Sequence, residues 1–256
     1  MKIIFLGTGG SRPTARRDNT GLLLDFNRAG VLVDCPGSLP ARLEKVGYQA
    51  GQVSDIFLTH IHPDHVYGLP LLIHAWRERE QPLRLFGSAE TIEFCLKLLR
   101  LFNLDRERIW PNLQLIQLSE GQSTNVSPEV EVRAFRVKHH SSSLAFLFAG
   151  YGKKIFIAGD TALDRQLLSQ VSSLSVLVHD CSFPSTVARN FPALQKKHTN
   201  SFELGEAAGE IKPGLLIAVH FLSELGFSLS EVEKEIRASY DGPLLLPEDF
   251  QVVEID

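Results

Sequence analysis

Cysteine is scarce in this chain: Cys35, Cys95 and Cys181 are the only three in 256 residues, an odd number with no C-x-x-C spacing. That pattern excludes a disulfide framework and a thiolate zinc site, and it points to a reducing cytoplasm. Also missing is any stretch near the roughly 18 apolar residues of a membrane span. The opening run Ile3-Ile4-Phe5-Leu6 is too short for the apolar part of a signal peptide and reads as a first strand, so no membrane partner is expected. There is no basic excess either. With 26 Lys and Arg against 30 Asp and Glu the net charge is −4, so any polyanion must be held locally rather than by a bulk positive field. No Pro/Gly/Ser-rich linker, charge block or short repeat divides the chain, and residues 1–256 read as a single domain.

What is present is enough apolar material for a sizeable core, 44% of the residues, arranged in short runs. Ile3 to Leu6, Leu22 to Leu24, Val31 to Val33, Ile56 to Leu58, Leu113 to Leu118, Val130 to Val137, Leu144 to Phe148, Ile155 to Ala158, Val176 to Val178 and Leu215 to Val219 read as buried strands. Helical stretches lie between them at Thr91 to Phe102, Leu163 to Val171, Phe202 to Ile211 and Glu231 to Ala238. Asn200-x-x-Glu203 and Ser228-x-x-Glu231 have the form of capping boxes that start the last two. Strand clusters followed by helices in both halves predict an α/β protein, a four-layer αβ/βα sandwich with two sheets face to face and helices outside.

The densest chemistry is His60-Ile61-His62-Pro63-Asp64-His65, directly after Ile56-Phe57-Leu58. His60 and His62 point the same way only in extended backbone, whereas Asp64 and His65 must come from the turn or helix start that Pro63 favours. One metal ion could take the first pair and a second ion the other. Three further candidates also follow apolar strands: His139 after Val137-Lys138, Asp160 after Ala158-Gly159, and His220 after Ala218-Val219. Packed sheets deliver strand ends to a common edge, so these segments can converge. A lone strand-end histidine is usually structural, but imidazoles and carboxylates repeated in that position suit divalent metal. Zn²⁺ is the first choice, with Mn or Fe as alternatives, and Asp160 is the natural bridge between two ions.

At every fixed position His60, His62, Asp64 and His65 match the H-x-H-x-D-H motif, and the chain thereby resembles the metallo-β-lactamase superfamily. Asp34, His139, Asp160 and His220 stand in the order of that superfamily's remaining motifs. The resemblance implies the αβ/βα fold and a binuclear centre, with one ion held by His60, His62 and His139, the other by Asp64, His65 and His220, and Asp160 between them. His139 and His140 compete for the third ligand position. The following Ser141-Ser142-Ser143-Leu144-Ala145-Phe146 is similar to the superfamily's H-x-x-x-S-L-G-Y register when His139 is the ligand, although Ala145 and Phe146 replace Gly and Tyr.

Two more segments resemble the ribonuclease Z branch. His179-Asp180-Cys181-Ser182-Phe183 is similar to its H-E-A-T-F segment, and His198-Thr199-Asn200-Ser201 to its H-S-T segment before a helix. By that resemblance Asp180 and His198 form a pair that assists proton transfer beside the metals; Asp180 is one methylene shorter than the branch's Glu, so it must sit closer to His198. Transfer-RNA-processing members carry a long arm between the third and fourth metal motifs. Only Leu144 to Gly159 lies there, room for a hairpin around Gly150-Tyr151-Gly152-Lys153-Lys154.

The expected activity is that of a metal-dependent hydrolase, a ribonuclease-Z-like phosphodiesterase using a metal-bridging hydroxide on a small or single-stranded phosphodiester. Asp64 orients the nucleophile as well as binding metal, and His198, held by Asp180, protonates the leaving oxygen. The alternatives are a carbon- or sulfate-ester hydrolase of lactonase or arylsulfatase type, and a tRNA 3′-end endoribonuclease without the arm. A di-iron oxidoreductase of the same fold would carry Glu where His62 stands. In the loop Gly7 to Asp18, Arg12, Arg16 and Arg17 are either phosphate contacts or solvated surface. Cys35 and Cys181 read as small core fillers. Gly68 to Arg77 is either a homodimer face or an ordinary core face.

Overall fold

A computed structural model describes residues 1–26, 30–76, 81–105 and 112–255. Its first strand shows how the layers arise. In β1 (Lys2–Gly7), Ile3 and Phe5 face one way and Ile4 and Leu6 the other, yet all four are buried. A strand apolar on both faces must be covered on both. There follow β2 (Gly21–Asp25), β3 (Gly30–Val33), α1 (Leu39–Lys45), β4 (Val53–Phe57), α2 (Pro63–Val66), α3 (Leu69–Trp76), β5 (Leu83–Gly87), α4 (Ala89–Leu101) and β6 (Leu113–Gln117). The second half contributes β7 (Ser123–Ser127), β8 (Val130–Arg136), β9 (Leu144–Gly150), β10 (Lys153–Ile157), α5 (Arg165–Gln170), β11 (Val176–Asp180), α6 (Ser185–Asn190), α7 (Pro192–Gln195), α8 (Ser201–Ile211), β12 (Leu215–Val219), α9 (Leu229–Arg237), β13 (Leu244–Leu245) and β14 (Val252–Glu254).

These strands form two seven-stranded mixed sheets, ordered β14-β1-β2-β3-β4-β5-β6 and β13-β12-β11-β10-β9-β8-β7. Their inner faces share one apolar layer, in which Phe57 stacks on Phe86 at 4.4 Å and meets Phe146 and Phe148 of the opposite sheet edge-on at 5.1 and 5.3 Å. On the outer face of the first sheet, Ile4, Leu32, Ile56 and Leu85 pack under α1, α3 and α4; on that of the second, Phe156, Leu177 and Leu216 pack under α5, α8 and α9. The result is the four-layer αβ/βα sandwich expected from the strand and helix pattern.

Helix starts follow local chemistry. Asn200 accepts from Glu203 N and Ser228 from Glu231 N, each satisfying a donor that the first turn leaves free. Between β9 and β10 only Tyr151 and Gly152 intervene, at φ 52° and 72°, the left-handed pair of a tight two-residue hairpin. Leu69, Leu72, Ile73 and Trp76 of α3 are buried against the first sheet, so the apolar pattern after Gly68 is accounted for by the core; Arg77 lies outside the described residues. No helix among the described residues is long and apolar enough to cross a membrane.

The two sheets meet at one edge. β3, β4 and β5 run parallel in the first, and β10, β11 and β12 in the second, so their carboxyl ends gather there. Leu144 N donates to Thr59 O at 2.9 Å and ties one sheet to the other. Asp34, His60, Asp160, Asp180 and His220 all fall at or just beyond these ends.

Candidate metal centre and acid–base pair

The segment after β4 does what its spacing requires. His62 has extended backbone (φ −62°, ψ 148°), Pro63 opens α2, and Asp64 and His65 sit in its first turn. Asp34 and His220, at the ends of β3 and β12, adopt left-handed φ of 66° and 67°, which non-glycine residues rarely adopt. Gly159 has φ 62° and faces Thr59 so closely that a Cβ would approach its side chain to 2.9 Å. Asp160 can therefore reach the centre only from a glycine-led turn.

Asp160 Oδ2 is the hub. It lies 3.0 Å from His220 Nε2, 3.3 Å from His65 Nε2, 3.8 Å from His139 Nε2 and 3.9 Å from His60 Nε2. Asp64 Oδ2 is 3.3 Å from His65 Nε2 and 3.6 Å from His220 Nε2. His62 Nδ1 faces His139 Nε2 at 3.0 Å. Among the described residues four overlapping groups have ligand atoms within 4.8 Å of one another: His60, His62 and His139 on one side, Asp64, His65, Asp160 and His220 on the other, and two that bring in His198, with His139 and Asp160 or with Asp180 and His220. His140, the competing third donor, is in neither group, its Nδ1 taking hydrogen bonds from Ser142.

Four of the five candidate imidazoles are oriented from behind. His65 Nδ1 lies 2.7 Å from Asp34 Oδ2, His139 Nδ1 donates to Lys197 O at 2.9 Å, His60 Nδ1 lies 3.0 Å from Thr59 Oγ1, and His220 Nδ1 lies 2.9 Å from Ser182 Oγ. Thr59 Oγ1 is in turn 2.9 and 3.0 Å from the Asp34 carboxylate, and Ser182 Oγ donates to Asp180 Oδ1 at 2.7 Å. With both hydroxyls donating to carboxylates, they accept from Nδ1–H, which turns Nε2 of His60, His65, His139 and His220 towards the centre, where His62 presents Nδ1 instead. Nε2 of His60, His65 and His220 are buried and lack a hydrogen-bond partner. Buried nitrogens without partners are costly. A cation among them removes that cost, and the mixed imidazole and carboxylate donor set fits divalent metal.

Electrostatics agree with this geometry. Burial opposes charge on His220, but the carboxylates of Asp160, Asp64 and Asp180 overcome it and raise its pKa to about 10. His65 is likewise pushed well above its ordinary value by Asp160, Asp34 and Asp64, against burial. Burial lowers His139 to about 4 and, with His65 beside it, holds His60 well down. The site thus demands positive charge where its carboxylates converge and refuses protons on the other imidazoles, which is the field that binds a metal cation.

Beside this centre Asp180 Oδ2 lies 2.8 Å from His198 Nδ1 and accepts from Thr161 N at 3.1 Å. The His198 ring stacks on His220 at 5.1 Å, and its centroid is 4.8 Å from that of His139. Thr59, Ser182 and the Lys197 carbonyl were not singled out by sequence, although Thr59 precedes His60 and Ser182 stands two residues past Asp180. Of the loop arginines, Arg17 donates to Thr8 Oγ1 and Pro247 O, a structural tie, while Arg12 and Arg16 are exposed. Cys35 and Cys181 are fully buried and burial raises both thiols well above their ordinary value, as suits core fillers.

Fold and donor arrangement define a ribonuclease-Z-like, metal-dependent hydrolase of the metallo-β-lactamase superfamily. Within it, the chain belongs to the family described as Anti-Pycsar protein Apyc1, which matches residues 1–201. Among curated proteins it is similar to ribonuclease BN of Enterobacter sp. (strain 638), 27% identical with 99% of each chain covered. That alignment runs over 311 residues, more than the 256 of this chain, so the relative carries segments lacking here. Among solved structures, the metallo-β-lactamase fold protein YhfI from Bacillus subtilis superposes with a TM-score of 0.82 at 20% identity over 98% of both chains. The short form of human tRNase Z superposes with 0.80 at 23% identity over the full length of both.

Proposed function

We propose that this protein is a binuclear metal-dependent phosphodiesterase that cleaves small or single-stranded phosphodiesters. The observation that carries the reading is the Asp180–His198 pair, 2.8 Å apart, with the His198 ring against the ligand candidates His220 and His139. His60, His62 and His139 would hold one ion and Asp64, His65 and His220 the other, with Asp160 shared. When bound, two divalent ions, zinc first and manganese or iron as alternatives, supply Lewis-acid charge and make water nucleophilic near neutral pH.

The chain's own residues do the rest. Asp64, on the first turn of α2, would orient the attacking oxygen. Asp180 accepts from His198 Nδ1–H and holds the ring with Nε2 directed away from the carboxylate, where a proton can pass to the leaving oxygen. A leaving alkoxide needs that proton far more than a phenoxide does, which favours phosphodiesters of alkyl alcohols over aryl sulfates. The relatives are named ribonuclease BN and ribonuclease Z, which supports a nucleic-acid phosphodiester or a compact analogue of one. The two-residue turn between β9 and β10 leaves no arm at that position to grip a folded RNA, and this favours substrates that need no remote contact.

The test is hydrolysis by zinc- or manganese-loaded protein of bis(p-nitrophenyl) phosphate, a 3′,5′-cyclic mononucleotide and short single-stranded RNA, beside a lactone and an aryl sulfate. Turnover of at least one phosphodiester above the other esters is expected. Turnover of the lactone or sulfate alone would overturn the reading.

A further inference from the structure

Next to the metal ligand candidates stands a second imidazole with no place in the ligand set. His140 is half-buried, and its ring centroid is 5.4 Å from that of His62. Its Nδ1 receives the backbone N–H of Ser142 at 3.2 Å and lies 2.9 Å from Ser142 Oγ. A backbone N–H can only donate, so Nδ1 is an acceptor and the neutral ring carries its proton on Nε2. That Nε2 has no hydrogen-bond partner among the described residues and, unlike Nε2 of His60, His65 and His220, is not a buried orphan. It is a donor left for something outside the protein.

The support under this donor is rigid. His140 N donates to Ser143 Oγ at 3.1 Å, Ser143 N donates to His140 O at 3.0 Å, and Ser142 and Ser143 are fully buried. Ser143 also precedes β9, whose Leu144 N binds Thr59 O next to His60. The turn that aims His140 is thus tied to the segment that carries the metal ligands. A fixed donor beside a cationic centre costs nothing to reorganise when an anionic oxygen arrives.

We propose that His140 is a substrate-binding residue whose Nε2–H donates to a non-bridging oxygen of the phosphate group seated at the metal centre. This deepens the phosphodiesterase reading and rests on it for the identity of the substrate. The adjacent pair then divides its work: His139 turns Nε2 inwards as a bare lone pair, and His140 presents Nε2–H outwards to the substrate.

The experiment compares zinc-loaded wild type with His140→Ala and with His140→Gln, whose amide nitrogen reaches the position of Nε2. Metal content is measured by mass spectrometry, inorganic phosphate binding by calorimetry, and kcat and KM on bis(p-nitrophenyl) phosphate. Expected are unchanged metal content in both variants, phosphate binding roughly 10-fold weaker in His140→Ala, the worth of one hydrogen bond to a charged group, and recovery in His140→Gln. KM should rise with the loss of phosphate affinity while kcat stays close to wild type, as for binding made equally in ground and transition states. Unchanged phosphate affinity in His140→Ala, or loss of metal, overturns the proposal. If wild type cleaves no phosphodiester the functional reading falls, while the phosphate titration still decides the role of His140.

Discussion

Asp180 holds His198 directly, Oδ2 to Nδ1 at 2.8 Å, and through the Ser182 hydroxyl it also reaches Nδ1 of His220. Asp34 repeats the arrangement on the other sheet, holding His65 directly and His60 through Thr59. Each sheet therefore sends one buried carboxylate to orient two imidazoles, one by contact and one across a hydroxyl. Three of those four rings belong to the candidate metal set; the fourth, His198, is the proton donor of the proposed reaction.

His198→Ala should lower kcat on a phosphodiester by roughly 10²- to 10⁴-fold, the usual worth of a positioned general acid, with metal content unchanged. Steady-state kinetics with metal analysis on the same samples reads both. Loss of metal from this variant would instead place His198 among the ligands.

Asp34→Asn replaces one of the two carboxylate oxygens that orient His65 and Thr59 with an N–H donor and removes the charge, without changing a candidate ligand. Affinity for zinc should fall roughly 10- to 100-fold, as when outer-shell partners of metal ligands are lost. Competition against a chromophoric chelator measures it, and an unchanged affinity would show that the rings are held well enough by packing alone.

Metal removal should loosen the whole edge where the sheets meet. An ion present at 1,000 times its Kd contributes about 4 kcal/mol to unfolding free energy, which for a chain of this size corresponds to roughly 10 °C in Tm. Thermal melts with and without chelator test this. Identical melting points would mean that no ion binds the folded state.

Cys95, on the buried face of α4, has its thiol pushed up to about 12 by burial, against an ordinary 9.0. The folded state binds this proton more tightly than the unfolded one. Its stabilising effect is complete below pH 9 and is lost as pH rises from about 9 towards 12. Between pH 8 and pH 10.5, wild type should lose about 2 kcal/mol more than Cys95→Ala, read from urea unfolding at the two pH values. Parallel losses in both proteins would contradict the shift.

The layer order was legible because the strands report their own environment. Ile3 to Leu6 and Ile155 to Ala158 are apolar at every position, which only strands covered on both faces tolerate, and Asn200 and Ser228 mark where helices begin. The H-x-H-P-D-H segment was legible because Pro63 forces the change from extended chain to helix between His62 and Asp64. Thr59 and Ser182 were not legible as site residues, since a hydroxyl one residue before a ligand or two after a carboxylate is common and carries no periodic signal. Between Gly68 and Arg77 the sequence left a dimer face and a core face open, because an apolar helical stripe serves either; Leu69, Leu72, Ile73 and Trp76 go into the core.

By itself the sequence determined which donors exist and on which strand ends they stand, because those depend on residue type and on spacings of a few residues. Only the tertiary structure decided which nitrogen each histidine presents. The partners that set the tautomers come from distant segments: Asp34 for His65, Lys197 for His139, Ser182 for His220. The same long-range contacts separate His139 from His140. They are neighbours in the chain with one chemistry, but Lys197 takes Nδ1 of the first and the Ser142 turn takes Nδ1 of the second, so that each ring is held by a different segment.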